Sequence, residues 1–382
     1  MFYVFALKFY QNLLDLPPKG FIVMKNGLLP LVAFIILSIG LNACFAQSCS
    51  PYMPGPCDCS TGCGTGYFLP DYSCGSDYVE YFEMCIEVPC FYGRADAVLW
   101  NLGASNRALV EGGTGETAFT AKDFSRSGIG SPRILLGHNI TPMLGIEGQY
   151  NGFQEWQSTK TLAGGYDFSL PGALGKVGTG WGEDFAASSQ MTMFSETNFH
   201  SAELNLVRRT RYPSLVWLGG FRYFNFEENF DLRSTPWANV GYYQQYSDYT
   251  ARTTNNLYGG QLGAKWDYLF TECFGLQAVG KVGVHTNNTK QRSWIYESLS
   301  DAVYQPVSMS GTKTSFSSEV NLGGYFKVTP NVSIVGGYNL MWIGDIARAA
   351  DQLDFNYPPR NGQIATDTLF MHGANVGLEW SF

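Results

Sequence analysis

The chain has 382 residues and a formal net charge of −8, from 24 Lys+Arg against 32 Asp+Glu, which argues against a basic nucleic-acid-binding surface. Charged residues are 15% of the chain, below the usual ~25% of soluble domains, while aromatics reach 15% and 44 residues are glycine. Mean hydropathy is −0.09 and no ~20-residue apolar run follows the N-terminus, excluding a helical membrane bundle; the aromatic content excludes a disordered chain.

Residues 1–46 read as a secretory signal peptide. Met24-Lys25-Asn26-Gly27 supplies a basic start, Leu28 to Leu41 the apolar stretch, and Cys44-Phe45-Ala46 the small-residue cleavage site. Residues 1–23 would make an unusually long leader, so Met24 is the expected start. Two other readings stay open. One is a tethering helix; the other is a lipidation box at Leu41-Asn42-Ala43-Cys44, which Asn42 fits poorly.

Export implies an oxidising compartment. After Cys44 come Cys49, Cys57, Cys59, Cys63, Cys74, Cys85 and Cys90, then Cys273 alone. Residues 47–90 are rich in Pro, Gly, Ser and Asp without apolar periodicity. We read them as a periplasmic segment stapled by disulfides. A metal site at Cys57-Asp58-Cys59 and Cys63 is disfavoured, because no histidine is nearby and thiols oxidise there. Cys273 falls in a short turn and makes the exported cysteines even in number. It is expected to bridge to one cysteine of the segment; the alternative is a free cysteine at a strand end.

From residue 91 the chain alternates with period 2. Strands are expected near 91–102, 131–140, 143–157, 197–209, 213–227, 254–268, 274–288, 314–328, 331–343 and 368–382. Most exceed the ~5–6 residues of ordinary strands. Short turns fall at Thr141-Pro142, Arg211-Tyr212, Leu269 to Cys273 and Thr329-Pro330-Asn331. Long polar connections occupy 103–130, 158–196, 228–253, 289–313 and 344–367. The pattern predicts an all-β, closed, antiparallel transmembrane barrel of up-and-down topology. It has about ten strands (range ~8–12), short periplasmic turns and long extracellular loops. A soluble sandwich or lipocalin-like barrel also alternates, but strand length, loop asymmetry and the terminal aromatic residue favour the membrane.

Parity assigns the two faces. Leu204 and Leu206 alternate with Glu203 and Asn205; Val320 and Leu322 alternate with Glu319 and Asn321. The apolar face belongs in lipid, where a mid-depth Arg or Lys costs ~2–4 kcal/mol. The other face puts Arg94, Asp96, Arg133, Glu147, Glu203, Arg222, Lys265, Lys281, Glu319 and Glu379 in the lumen. Cations and anions balance there, and long side chains in a narrow barrel can pair and fill it. A narrow charged channel and a salt-bridged closed lumen are both consistent with that set. Tyr92, Trp100, Phe221, Tyr258, Trp266, Phe326, Trp342 and Trp380 are expected in interfacial girdles. A weak repeat, Ser201-Ala202-Glu203-Leu204-Asn205-Leu206 and Ser317-Ser318-Glu319-Val320-Asn321-Leu322, marks hairpin units. His285 has lumen parity but His200 and His372 have lipid parity, so a catalytic histidine cluster is not expected. No cofactor or metal is expected either. Gly112-Gly113-Thr114-Gly115 reads as a loop tip.

The chain resembles the beta-barrel porin-7 family of bacterial outer-membrane barrels. The resemblance is carried by Gly219-Gly220-Phe221-Arg222-Tyr223 with Glu227-Glu228, and by Thr254 through Gly263. Further on it rests on Gly280-Lys281-Val282-Gly283, Thr329-Pro330-Asn331, Asp351-Gln352-Leu353 and His372-Gly373. It spans roughly residues 91–382 and omits the Cys-rich segment. Trp380-Ser381-Phe382 is similar to the aromatic signal read by barrel-assembly machinery, with Phe382 as its terminal residue. The resemblance implies the cell outer membrane, with its lipid and the assembly machinery as partners and no nucleic acid. The expected function is a porin-like passive channel for small polar solutes. The alternative is a structural or adhesive surface protein with a closed lumen, and oligomeric state stays open.

Overall fold

Long alternating strands joined by two- to five-residue turns have one economical arrangement in lipid, a closed barrel with no edge left unpaired. The computed structural model describes residues 89–124, 129–176, 185–210, 214–236, 245–356 and 363–382. The expected signal peptide and Cys49 to Cys85 lie outside the described residues.

Ten strands form the wall. They are β1 (Phe91–Leu102), β4 (Ile129–Asn139), β5 (Leu144–Phe168), β6 (Ser188–Arg209), β7 (Leu215–Pro236), β8 (Ser247–Leu269), β9 (Phe274–Glu297), β10 (Ala302–Thr329), β11 (Val332–Ile346) and β12 (Asp367–Ser381). Each pairs antiparallel with its neighbours, and β1 closes the ring between β12 and β4. Backbone bonds between Phe91 and Phe382, 2.9 and 2.8 Å, finish the seam. Gly93 is small because the Trp380 indole lies across it on the outside; a Cβ there would sit 2.6 Å from the ring. A separate small hairpin, β2 (Ala108–Glu111) with β3 (Thr117–Thr120), sits between β1 and β4.

Strand number, order and closure match the expectation, but the strands run further at the long-loop end. The expected connection 289–313 is strand except for the turn Ser298–Asp301; within 158–196 β5 runs on to Phe168 and β6 starts at Ser188, and within 228–253 β7 runs on to Pro236 and β8 starts at Ser247. Above the bilayer the outer face no longer has to be apolar. Runs such as Gln157–Thr161 keep the sheet hydrogen bonds while losing the alternation that betrays a strand.

Burial confirms the parity of the faces. Leu262 is 69% exposed and Val282 61%, while Arg222 on the inner row is 2% exposed. Phe221, Tyr258, Trp266, Phe326 and Trp342 are exposed on the outer wall, and Trp380 is partly so. Two of the expected girdle residues are corrected. Trp100 is fully buried inside the barrel. Tyr92 also points inward, its ring over Gly137 and its hydroxyl donating to Glu147 at 3.3 Å. Both share the parity of Arg94 and Asp96, so position near a strand end did not decide their side.

Candidate functional site: the barrel lumen

All ten charged residues assigned by parity face the interior. Seven are buried: Asp96, Arg133, Glu147, Glu203, Arg222, Lys281 and Glu319. Arg94, Lys265 and Glu379 are partly buried at the short-turn end. The strands bring these residues into two knots and one looser group.

The first knot centres on Glu203. Arg222 reaches it at 3.3 Å and Lys281 at 2.8 Å. Gln261 donates to it at 2.8 Å and Gln149 at 3.2 Å. Arg222 also meets Glu319 at 2.6 Å and lies 4.3 Å from the centre of the Phe224 ring. Arg222 and Lys281 thus balance the two buried carboxylates, with the guanidinium bridging both, and this offsets the cost of their desolvation. The second knot centres on Asp96, held by Arg94 at 3.0 Å, by Arg133, and by Asn375 at 3.2 Å. Arg133 and Asn321 both donate to Asn339, at 2.9 and 2.7 Å. Glu147, Lys265 and Glu379 line a cavity of ≈ 70 Å³ together with Asp96 and Arg133 of one knot and Lys281 and Glu319 of the other. Lys265 lies 3.7 Å from Asp267, a looser pairing than those above.

Two further layers close the lumen over the charges. The rows that carry Asp96 and Arg222 continue upward as Val98, Trp100 and Leu102 on β1 and as Phe224 and Phe226 on β7. With Trp156, Phe199, Leu257, Met341, Ile343, Leu369 and Met371 they form a buried apolar layer across the inside of the barrel. At the long-loop mouth a second apolar cluster joins strands to loops. Leu109, Phe119 and Phe124 from the 103–124 connection meet Leu170 and Leu174, and Leu353 and Phe355 from the β11–β12 connection. Inner residues Phe230, Leu232 and Met193 receive them.

Polar contacts seat the 345–356 segment on the wall. Asn255 exchanges hydrogen bonds with the Ala347 backbone at 2.8 and 2.9 Å, and Asn287 donates to the Asp345 carbonyl at 2.8 Å. Glu228 accepts from the Ala349 amide at 2.7 Å and pairs with Arg348 at 3.5 Å. Arg107 donates to the Asp351 carbonyl at 2.6 Å and to that of Leu353. Burial raises the Asp351 carboxyl above its ordinary value, against a hydrogen bond from Ser105 and the nearby arginines Arg348 and Arg107.

These two apolar layers are what reading the sequence missed. A signal for the lower one was present, since Phe224 and Phe226 keep the parity of Arg222. Apolar residues on a row assigned to a polar lumen mark a plugged interior. The histidines divide between the two faces of the wall. His200 and His372 lie on the outer wall, bonded to Tyr150 at 2.9 Å and Tyr338 at 2.6 Å. His285 is inside, its Nε2 2.7 Å from the Ser317 hydroxyl. Its Nδ1 has no partner among the described residues, so the pair lacks the orienting acceptor of a nucleophile–base system. Cys273 is exposed and carries a free thiol in the structure. The expected Cys273 bridge is therefore not formed to Cys90, and the other candidates lie outside the described residues.

The family model described as Putative beta barrel porin-7 (BBP7) matches residues 185–382. The chain belongs to this family. Strands β1, β4 and β5 precede the matched stretch, yet they complete the same ring, so a BBP7 barrel here closes with strands outside the matched region. With its apolar outer wall, this BBP7 member is a β-barrel of the cell outer membrane. Among solved structures it is similar to the outer membrane protease OmpT from Escherichia coli (11% identity, TM-score 0.34, 77% of this chain and 94% of that one). It is also similar to the translocator domain of the autotransporter NalP from Neisseria meningitidis (9% identity, TM-score 0.35, 76% and 88%). A third is the P. putida toluene transporter TodX (8% identity, TM-score 0.33, 76% and 90%). The comparison with curated proteins finds no match.

Proposed function

We propose that this barrel serves the outer membrane with its lumen closed, as a structural or surface-presenting protein rather than as an open passive pore for small polar solutes. One observation carries this reading: three closures lie in series along a single lumen. The charged knots cross it first, the Trp100–Phe224 layer second, and the inward-folded loops third. An apolar layer inside a polar channel resists wetting, and solutes that diffuse through porins need water on the way. Planar-bilayer recording of folded protein tests it. Silence at low voltage is the expected result, and stepwise currents from the wild-type chain would overturn it.

A second reading, a gated channel, is favoured by the upper closure alone. Its plug is a loop segment anchored at Glu228, Asn255 and Asn287 rather than a strand. Removing residues 347–356 separates the readings. Steps that appear only in that variant support a gate; continued silence supports the permanently sealed barrel.

A further inference from the structure

Above the lipid-facing band the outer wall is mainly acidic on β5, β6 and β7, which carry Glu155, Glu196, Glu227 and Asp231; one cation there, Arg233, pairs with Asp248 of β8 at 2.7 Å. On β8 and β9 it carries Arg252, Lys290 and Arg292, all exposed. Arg252 and Arg292 are direct cross-strand partners, and Lys290 stands opposite Thr254 one outward position below. On the other side, Lys290 and Arg292 face only Ser310 and Ser308.

Like charges directly opposite each other on a sheet repel, so the arrangement asks for an anion between them. None of the three cations makes an ion pair with a carboxylate among the described residues. The nearest acids by register are on β7 and have other partners: Asp231 accepts from Thr250 at 2.6 Å, and Glu227 from Asn225 at 3.3 Å. The Arg252 guanidinium lies 5.2 Å from the centre of the Trp294 ring, which orients it along the wall. Guanidinium groups bind phosphate in a two-point fork, and a nearby ammonium adds a point charge.

The height of the cluster identifies its source of phosphate. Tyr258, paired with Thr286, ends the outward apolar row that contains Leu262, Val282 and Val284. Lys290 lies four residues beyond Thr286, about 10 Å higher for a strand tilted by ~40°. Lys290 therefore stands at the outer edge of a headgroup zone about 5–8 Å deep. Arg252 and Arg292 stand about 5 Å higher and reach down with long side chains, and the exposed Leu262, Val282 and Val284 rows beneath meet acyl chains. We propose that Arg252, Lys290 and Arg292 bind the phosphorylated headgroup of an outer-leaflet lipid whose chains lie along the β8–β9 wall.

The test uses the full chain, folded in neutral detergent and supplied with phosphatidylglycerol or phosphatidylcholine. Retained lipid is counted by native mass spectrometry. The wild type is expected to keep phosphatidylglycerol several-fold better than R252S/K290S/R292S, while E155Q/E196Q/E227Q behaves as wild type. If the triple variant does not fold, Arg292→Ser alone gives the same comparison at smaller amplitude. A second readout has opposite signs in the two media. Relief of repulsion raises the triple variant's melting midpoint in neutral detergent, and the wild type regains that difference when phosphatidylglycerol is added. Equal retention by wild type and variant overturns the proposal. So does full displacement of the lipid by inorganic phosphate, which marks a free-anion site. Concentration-dependent pairing of copies that the triple variant abolishes also overturns it, since the basic wall then meets the acidic wall of a second copy.

Discussion

The lumen is closed in two different ways at two heights. In the lower half every member of the seal stands on a strand of the wall. Arg222, Glu203, Glu319 and Lys281 come from β7, β6, β10 and β9, and their pairing joins strands on different sides of the ring. At the mouth the seal is apolar, and half of it comes from connections between strands. The first cannot leave without opening the barrel. The second is held by a small set of hydrogen bonds and one ion pair at Glu228. A barrel can therefore use charge to fix its interior and hydrophobic loops to cover its entrance, and mutations should separate the two.

The largest effect is expected at the lower seal. Arg222→Ala leaves Glu203 and Glu319 facing each other in a buried site with one cation, Lys281, remaining. Loss of one partner of a buried pair costs about 3–5 kcal/mol. The urea midpoint of global unfolding should fall accordingly, and an unchanged midpoint would show that water enters this layer. At the mouth, Leu353→Ala removes a side chain that is 1% exposed. Buried Leu→Ala changes cost about 2–5 kcal/mol, with the low end where surroundings collapse, and a loop collapses more easily than a strand. The expected signature is local: faster proteolysis of the 345–356 segment with little change in the global midpoint. A global loss as large as that of Arg222→Ala would erase the distinction between the two seals.

The residues that were readable from sequence are those for which one physical rule decides. Glu147, Glu203, Arg222 and Glu319 are inward because lipid rejects charge, and the other six charged candidates lie on the same inward rows. Leu204, Val282 and Leu322 are outward for the converse reason. The rule has no force above the membrane, and there the reading failed. The polar run 289–313 looked like loop because neither of its faces meets lipid. Parity was also applied unevenly. Trp100 was sent to the outer girdle for being aromatic near a strand end, although it sits four positions from Asp96 on the same face. The mouth plug was not legible at all. Its loops are short irregular segments, and the long-range partners that bury Leu109, Leu174 and Leu353 together leave no local pattern.

A smaller effect tests the anchor of the plug. Glu228→Gln keeps the shape and the bond from the Ala349 amide but removes the charge facing Arg348, 3.5 Å away. A hydrogen bond to a charged group is worth about 1.5–3 kcal/mol and a neutral one about 0.5–1.5, so the seat of the plug should weaken by roughly 1 kcal/mol. Hydrogen exchange at Ala347 and Ala349 should accelerate several-fold while amides in β7 keep their protection. Equal acceleration in both would mean that the plug and the wall open together.

The smallest expected effect is one of pH, confined to the upper seal. Burial raises the Asp351 carboxyl in the folded protein, so the folded state holds its proton more tightly than the unfolded chain does. Stability then falls as pH rises, starting near the unfolded value of ~3.9 and ending once the folded value is passed. The plug should be seated more firmly at the acidic end of that window than at neutral pH. Asp351→Asn keeps the side-chain acceptor for Ser105, removes the ionisation, and should flatten the dependence. Proteolysis of the 345–356 segment across that range, wild type against variant, measures it. A slope of the opposite sign would mean that Arg107 and Arg348 hold the carboxylate more strongly than burial opposes it, and the upper seal would then be fixed by charge as the lower one is.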